Sequence, residues 1–328
     1  SDYFNTKLYT GNGVDDRSIT GVGFQPDFTW IKSRTTTDYH TLFDVVRGVG
    51  KRIFSNVTEA EDTTPDSLQA FESDGFEVGT NSGINGNTFN FVSWNWKANG
   101  AGSANTAGSI SSTVSANTTS GFSIVSYTGN GTGSSTVGHG LGVAPAFVII
   151  KNTSSVDAWQ VFPTGGTRLV LNSTASDYGN NGITKGATTI TLPSGVDNAW
   201  NNNGQSYIMY CFAEKQGYSK FGSYTGNGST DGTFIYTGFK PAFIMVKNAN
   251  NATADWVMFD VKRNTYNIMD KRLRANLSNA EDAPLGFVDF TSNGFKWRTD
   301  SFAVNGSGNT HIYMAFAEEP LVGDNPAT

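Results

Sequence analysis

A chain of 328 residues is too long for one small domain and suits two or three of ordinary size. Its 15% charged and 13% aromatic residues, with 38 glycines, exclude both a helix-rich composition and a disordered one. Twenty-two basic against 28 acidic residues give −6 with no basic run, which argues against a nucleic-acid partner.

The chain opens at Ser1 without a methionine, as a trimmed or internal start would, and shows no signal-peptide pattern. No segment approaches the roughly 20 apolar residues of a membrane helix, so membrane insertion is not expected. Tyr9-Thr10-Gly11-Asn12-Gly13 is the first turn signal, because Asn and Gly tolerate the positive φ of tight turns. Pro26 then leads into Asp27-Phe28-Thr29-Trp30-Ile31 and Lys32, a predicted strand. Phe43 to Arg47, Lys51-Arg52-Ile53 and Glu61-Asp62 follow, and the piece from Asp62 to Ala70 is read as holding a helical turn. Phe71 to Phe76 comes next, and Phe91 to Trp96 closes the unit on an aromatic strand.

Ala98 to Ser120 is Gly, Ala, Ser, Asn and Thr with Ile110 and Val114 as its larger aliphatics, the composition of a flexible or extended connector. The same succession then recurs. Tyr127 opens a second Tyr-Thr-Gly-Asn-Gly, followed by Pro145, Phe147 to Ile150, Lys151, Arg168-Leu169, Asn172 and a closing run from Tyr207 to Phe212. After a short join at Lys215 to Lys220, Tyr224 opens a third, with Pro241, Phe243 to Val246, Lys247, Phe259 to Arg263, Glu281-Asp282 and a closing run from His311 to Phe316. The ordered matches are too many for coincidence. The predicted organisation is three tandem copies, over residues 1–98, 121–219 and 220–328, with 99–120 as connector. The predicted fold class is all-β, each copy an antiparallel β-sandwich-like domain with Gly/Asn-rich turns.

The strands after each proline, and the closing strands, are apolar at consecutive positions, whereas a strand with one wet face alternates. Something must cover their second face: neighbouring copies, symmetry mates, or a cap of loops. Association is the expectation, as a homo-oligomer with a trimer favoured.

Asp2-Tyr3-Phe4-Asn5-Thr6, the triple Tyr-Thr-Gly-Asn-Gly, Trp94-Asn95-Trp96-Lys97-Ala98 and Lys220-Phe221-Gly222-Ser223-Tyr224 resemble a domain of unknown function common in marine bacteriophages, notably those infecting cyanobacteria. The resemblance implies a virion-associated structural or appendage protein on the particle exterior, with other virion proteins as partners and no catalytic residues to carry over. The expected role is a non-enzymatic fibre, decoration or tail-appendage component; the alternative is a module that binds a host-surface glycan or protein.

Candidate chemistry is sparse. His40, His139 and His311 fall at unmatched positions without zinc-ligand spacing, and Cys211 is alone in an apolar run, so neither metal nor cofactor is expected. Glu61-Asp62 and Glu281-Asp282 admit an acid/base or calcium reading, but recurrence at one repeat position suits a loop feature better. The middle unit diverges after Asp177, where Tyr178-Gly179-Asn180-Asn181-Gly182 and Trp200-Asn201-Asn202 place aromatics beside amides. An apolar platform with fixed hydrogen bonds is how proteins hold sugars, which makes Tyr178, Trp200, Asn201 and Asn202 the candidate ligand-binding residues.

Overall fold

A computed structural model of the chain describes residues 2–317 except 166, 167, 180, 181, 195, 196 and 285. Among the described residues the backbone forms three large antiparallel sheets, of six, seven and five strands, and three small ones of three strands each. In the first large sheet the opening strand Phe4–Thr10 pairs with the closing strand Asn90–Trp96, which pairs with Phe28–Ser33, then Thr41–Asp44, Lys51–Phe54 and Asp62–Thr63. In the second, Phe122–Thr128, Ser206–Phe212, Phe147–Asn152, Gln160–Phe162 and Leu169–Val170 follow one another in the same way, and in the third so do Ser219–Thr225, Thr310–Ala317, Pro241–Asn248, Val257–Asp260 and Leu273–Arg274.

The small sheets, beginning with Arg17–Thr20, Thr136–Gly138 and Phe234–Tyr236, each accompany one large sheet in sequence. The 99–120 segment is extended and paired: Ser103–Asn105 and Ser112–Asn117 extend the second large sheet beside Phe122–Thr128. Small side chains suit such an edge, where ladder hydrogen bonds matter more than side-chain bulk. The stretch from Asp62 to Ala70 carries two strands, Asp62–Thr63 and Leu68–Glu72, and no helical turn. Among the described residues the helices are single turns at Ser82–Asn85 and Phe302–Asn305, just before the closing strands.

The consecutive apolar positions have a direct explanation. Alternate residues of one strand enter two different cores. Phe147 and Ile149 lie in a central cluster, whereas Val148 and Ile150 lie in a second one beneath the small sheet; Tyr210 and Phe212 divide from Met209 and Cys211 in the same way. Phe28, Trp30, Trp94 and Trp96 likewise face the centre while Ile31 and Phe91 face Ile19 and Phe76. The centre is shared by all three large sheets. Phe28 packs on Tyr210 at 4.5 Å between ring centroids, Phe4 on Phe316 at 5.1 Å and Trp96 on Phe243 at 6.1 Å. Such pairs contribute about 0.5–1.5 kcal/mol each beyond their burial.

Loops lock the sheets at three seams. Trp159 Nε1 donates to the Phe54 carbonyl at 2.9 Å, and Trp256 Nε1 donates to the Val170 carbonyl at 2.9 Å. Phe54 and Val170 occupy the same register, as do Trp159 and Trp256. The third seam joins the last sheet to the first: Ser55 Oγ donates to the Ala275 carbonyl, and Arg34 grips Glu281 with two bonds of 2.8 and 3.0 Å.

Candidate functional site

The Tyr-Thr-Gly-Asn-Gly motif is structural. Tyr9, Tyr127 and Tyr224 donate their hydroxyls to the carbonyls of Ile84, Trp200 and Val304. The residue after each of these carbonyls is a buried asparagine, Asn85, Asn201 or Asn305, whose side-chain oxygen accepts from the backbone N–H of Asn12, Asn130 or Asn227. The first glycine of the motif has no alternative, since a Cβ on Gly11 would lie 2.1 Å from the Gly86 oxygen. The last, Gly13, Gly131 or Gly228, takes φ between +63 and +67°.

This accounts for where two of the sequence candidates lie. Trp200 stands where Ile84 and Val304 stand and is 5% exposed, its ring in the core beneath the small sheet. Asn201 is fully buried, its amide donating to Asn130 Oδ1 and the Thr132 carbonyl. Asn202 donates to Asn198 Oδ1 at 2.6 Å. Tyr178 is 50% exposed. Arg168 links it to Trp200, the guanidinium lying 4.9 Å from the Tyr178 ring centre and 5.5 Å from that of Trp200. Asn180 and Asn181 fall outside the described residues.

A cleft of about 330 Å³ opens elsewhere, on the first large sheet, a place the sequence reading passed over. The 38–41 segment supplies Asp38, Tyr39 and Thr41, the neighbouring strand Arg52 and Phe54, the following loop Glu59, the edge strand Asp62, and the turn before the closing strand Asn81. Tyr39 is 41% exposed and meets the buried Phe54 edge-on at 5.4 Å. Arg52 lies over the Phe54 ring and binds both oxygens of Asp62. The signal that could have found the cleft is a comparison at matched register. Tyr39 and Phe54 correspond to Ala158 and Val170 in the second sheet, and to Asp255 and Arg274 in the third. In the third sheet Arg274 contacts Asp255 at 3.3 Å and Asp282 at 2.6 Å, an ion-pair network where the first sheet has two rings.

Many of the other ionisable groups are paired or buried. Glu61 pairs with Arg47 and Lys51, and Glu281 with Arg34 and Arg263. Lys32, Lys151 and Lys247 are buried with Nζ on backbone carbonyls; Lys151 reaches Thr58 and Lys247 reaches Thr174, both on the preceding sheet's loop. Burial pushes all three ammonium groups down to about 8, against the opposing pull of Asp38, Asp157 and Asp255. Burial also holds His40 well below the usual imidazole value, consistent with its Nδ1 accepting from Trp30 Nε1 at 2.9 Å. Cys211 is buried and free, its thiol pushed up to about 12 by desolvation.

These features define an all-β, sandwich-like protein of open antiparallel sheets around a common aromatic core. The chain belongs to the family of a domain of unknown function, DUF7483, which matches residues 1–320. No curated protein and no solved structure matches it.

Proposed function

We propose that the chain is a non-enzymatic structural component of a bacteriophage particle, an external fibre, decoration or tail-appendage subunit built from three copies of one module. The observation that carries this reading is the shared core: three sheets of one strand order converge on one aromatic cluster and interlock at three seams. Such a body is rigid and has few charges to offer, which suits an outer part of a particle. The apolar faces that motivated the expected trimer of chains are covered within one chain, which supports a threefold arrangement of its own modules. An antibody against the recombinant chain is expected to label intact particles of the phage that encodes it. Unlabelled particles alongside a reactive infected-cell lysate would sink the proposal.

A second reading, recognition of a host-surface glycan at adsorption, is favoured by the Tyr39 cleft. It combines an exposed ring with carboxylate and amide groups, the composition of sugar sites. Binding of the chain to host cells, competed by free saccharides, tests it; binding indifferent to every saccharide would remove it.

A further inference from the structure

We infer that the Tyr39 cleft takes a short, uncharged saccharide, stacked on Tyr39 and held by Glu59, Asp38 and Asn81; the inference rests on the glycan reading above. Size comes first. At about 330 Å³ the cleft lies at the small end of ligand sites, room for about two sugar rings. The half-exposed Tyr39 offers a flat face for the C–H side of a pyranose, and its edge contact with Phe54 fixes the ring. Polar capacity comes next. Glu59 is exposed and has no hydrogen-bond partner among the described residues. Asp38 engages one oxygen with Thr36, leaving the other for a ligand. Asn81 accepts from the Gly83 N–H with its oxygen, so its amide nitrogen is available to donate. Two carboxylates accept from pairs of hydroxyls, and one amide donates back, which is the complement of a polyol.

Charge then sets the class. Arg52 and Asp62 neutralise each other, which leaves Asp38 and Glu59 facing the cleft. A sialylated, uronate or phosphorylated sugar would meet the uncompensated carboxylate of Glu59 and that of Asp38, whose charge the buried Lys32 ammonium only partly offsets, and like charges at close range disfavour binding. The matched positions in the other sheets lack the ring pair, and Asn279 stands at the register of Glu59, so the cleft is particular to the first sheet.

The test is an array of neutral and anionic oligosaccharides probed with the full chain and with Tyr39→Ala, Glu59→Gln and Tyr178→Ala. Tyr39 and Glu59 are exposed, so unchanged thermal unfolding is expected of both variants and serves as the folding control. The expected result is retention on neutral saccharides, weakened about tenfold by Tyr39→Ala, weakened also by Glu59→Gln and untouched by Tyr178→Ala. Neutral binding that survives Tyr39→Ala overturns the inference; if Tyr178→Ala abolishes it, the glycan reading stands at the other loop. Preference for anionic saccharides also overturns it. A chain that binds no saccharide removes the inference and the glycan reading together.

Discussion

Asn85, Asn201 and Asn305 show how a single buried amide can hold a turn. Asn305 donates to Asn227 Oδ1 and to the carbonyls of Ser229 and Thr299, and it accepts from the Asn227 N–H. Alanine there would leave several buried groups unsatisfied, so Asn305→Ala is expected to destabilise the chain by about 3 kcal/mol. Denaturant unfolding measures this; a loss within about 0.5 kcal/mol, the range of an ordinary surface change, would contradict the assignment. The Asn-Gly turns were legible from the residues alone, because the demand for positive φ is local. The role of Trp200 was not. Its flanking asparagines read as an exposed loop, yet Asn201 faces inward, and only the register shared with Ile84 and Val304 reveals a core position. The Tyr39 cleft was equally hidden, since its parts come from segments up to about 40 residues apart with no motif among them.

At the scale of elements, strands were readable because runs of consecutive apolar residues signal burial on both faces. Helical turns were not, since a four-residue helix such as Ser82–Asn85 is too short to display a period. Matched elements also show compensating exchanges. At one register the strands after the prolines carry Trp30, Ile149 and Met245, and the facing loops carry His40, Trp159 and Trp256. The large ring sits on the strand in the first sheet and on the loop in the other two. His40→Trp alone is therefore expected to overpack against Trp30 and to cost about 1–3 kcal/mol. Adding Trp30→Met should recover most of the loss, giving a favourable coupling of about 1 kcal/mol or more in a double-mutant cycle. Additive losses would show that the two positions do not share one space. A similar exchange links distant sheets: Tyr210 donates to Asp44 at 2.7 Å and Trp94 to Asp260 at 3.1 Å, whereas the corresponding third pair, Met314 and Pro163, is apolar on both sides.

For the whole molecule, the cores and the seams together determine how stability responds to pH, because they bury many titratable groups at once. Lys32, Lys151, Lys185 and Lys247 sit near 8 in the folded chain against 10.5 for a free lysine, each lowered chiefly by burial. Between those values the unfolded chain binds more protons than the folded one, so stability rises with pH. Tyr127, Tyr210, Tyr218 and Tyr224 act in the opposite sense above 10, since burial holds their hydroxyls well above 10.0 and the unfolded chain sheds protons that the folded chain keeps. His40, His139 and His311 are all lowered by burial, His311 to about 4, so their contribution is present above 6.5 and is lost as pH falls below it. The midpoint of guanidinium unfolding is therefore expected to fall away below pH 6.5, stay level to about 8, climb from 8 to about 10 and drop beyond. Replacing Lys151 by Met should shrink the climb without moving the acid limb, whereas Lys32→Met and Lys247→Met should shrink it and also soften the acid limb, because each ammonium helps to lower a histidine, His40 and His311 respectively. A midpoint that declines steadily from pH 8 to 10 would mean that these lysines reach solvent, and the seams would then not be the dry joints that hold the three sheets as one body.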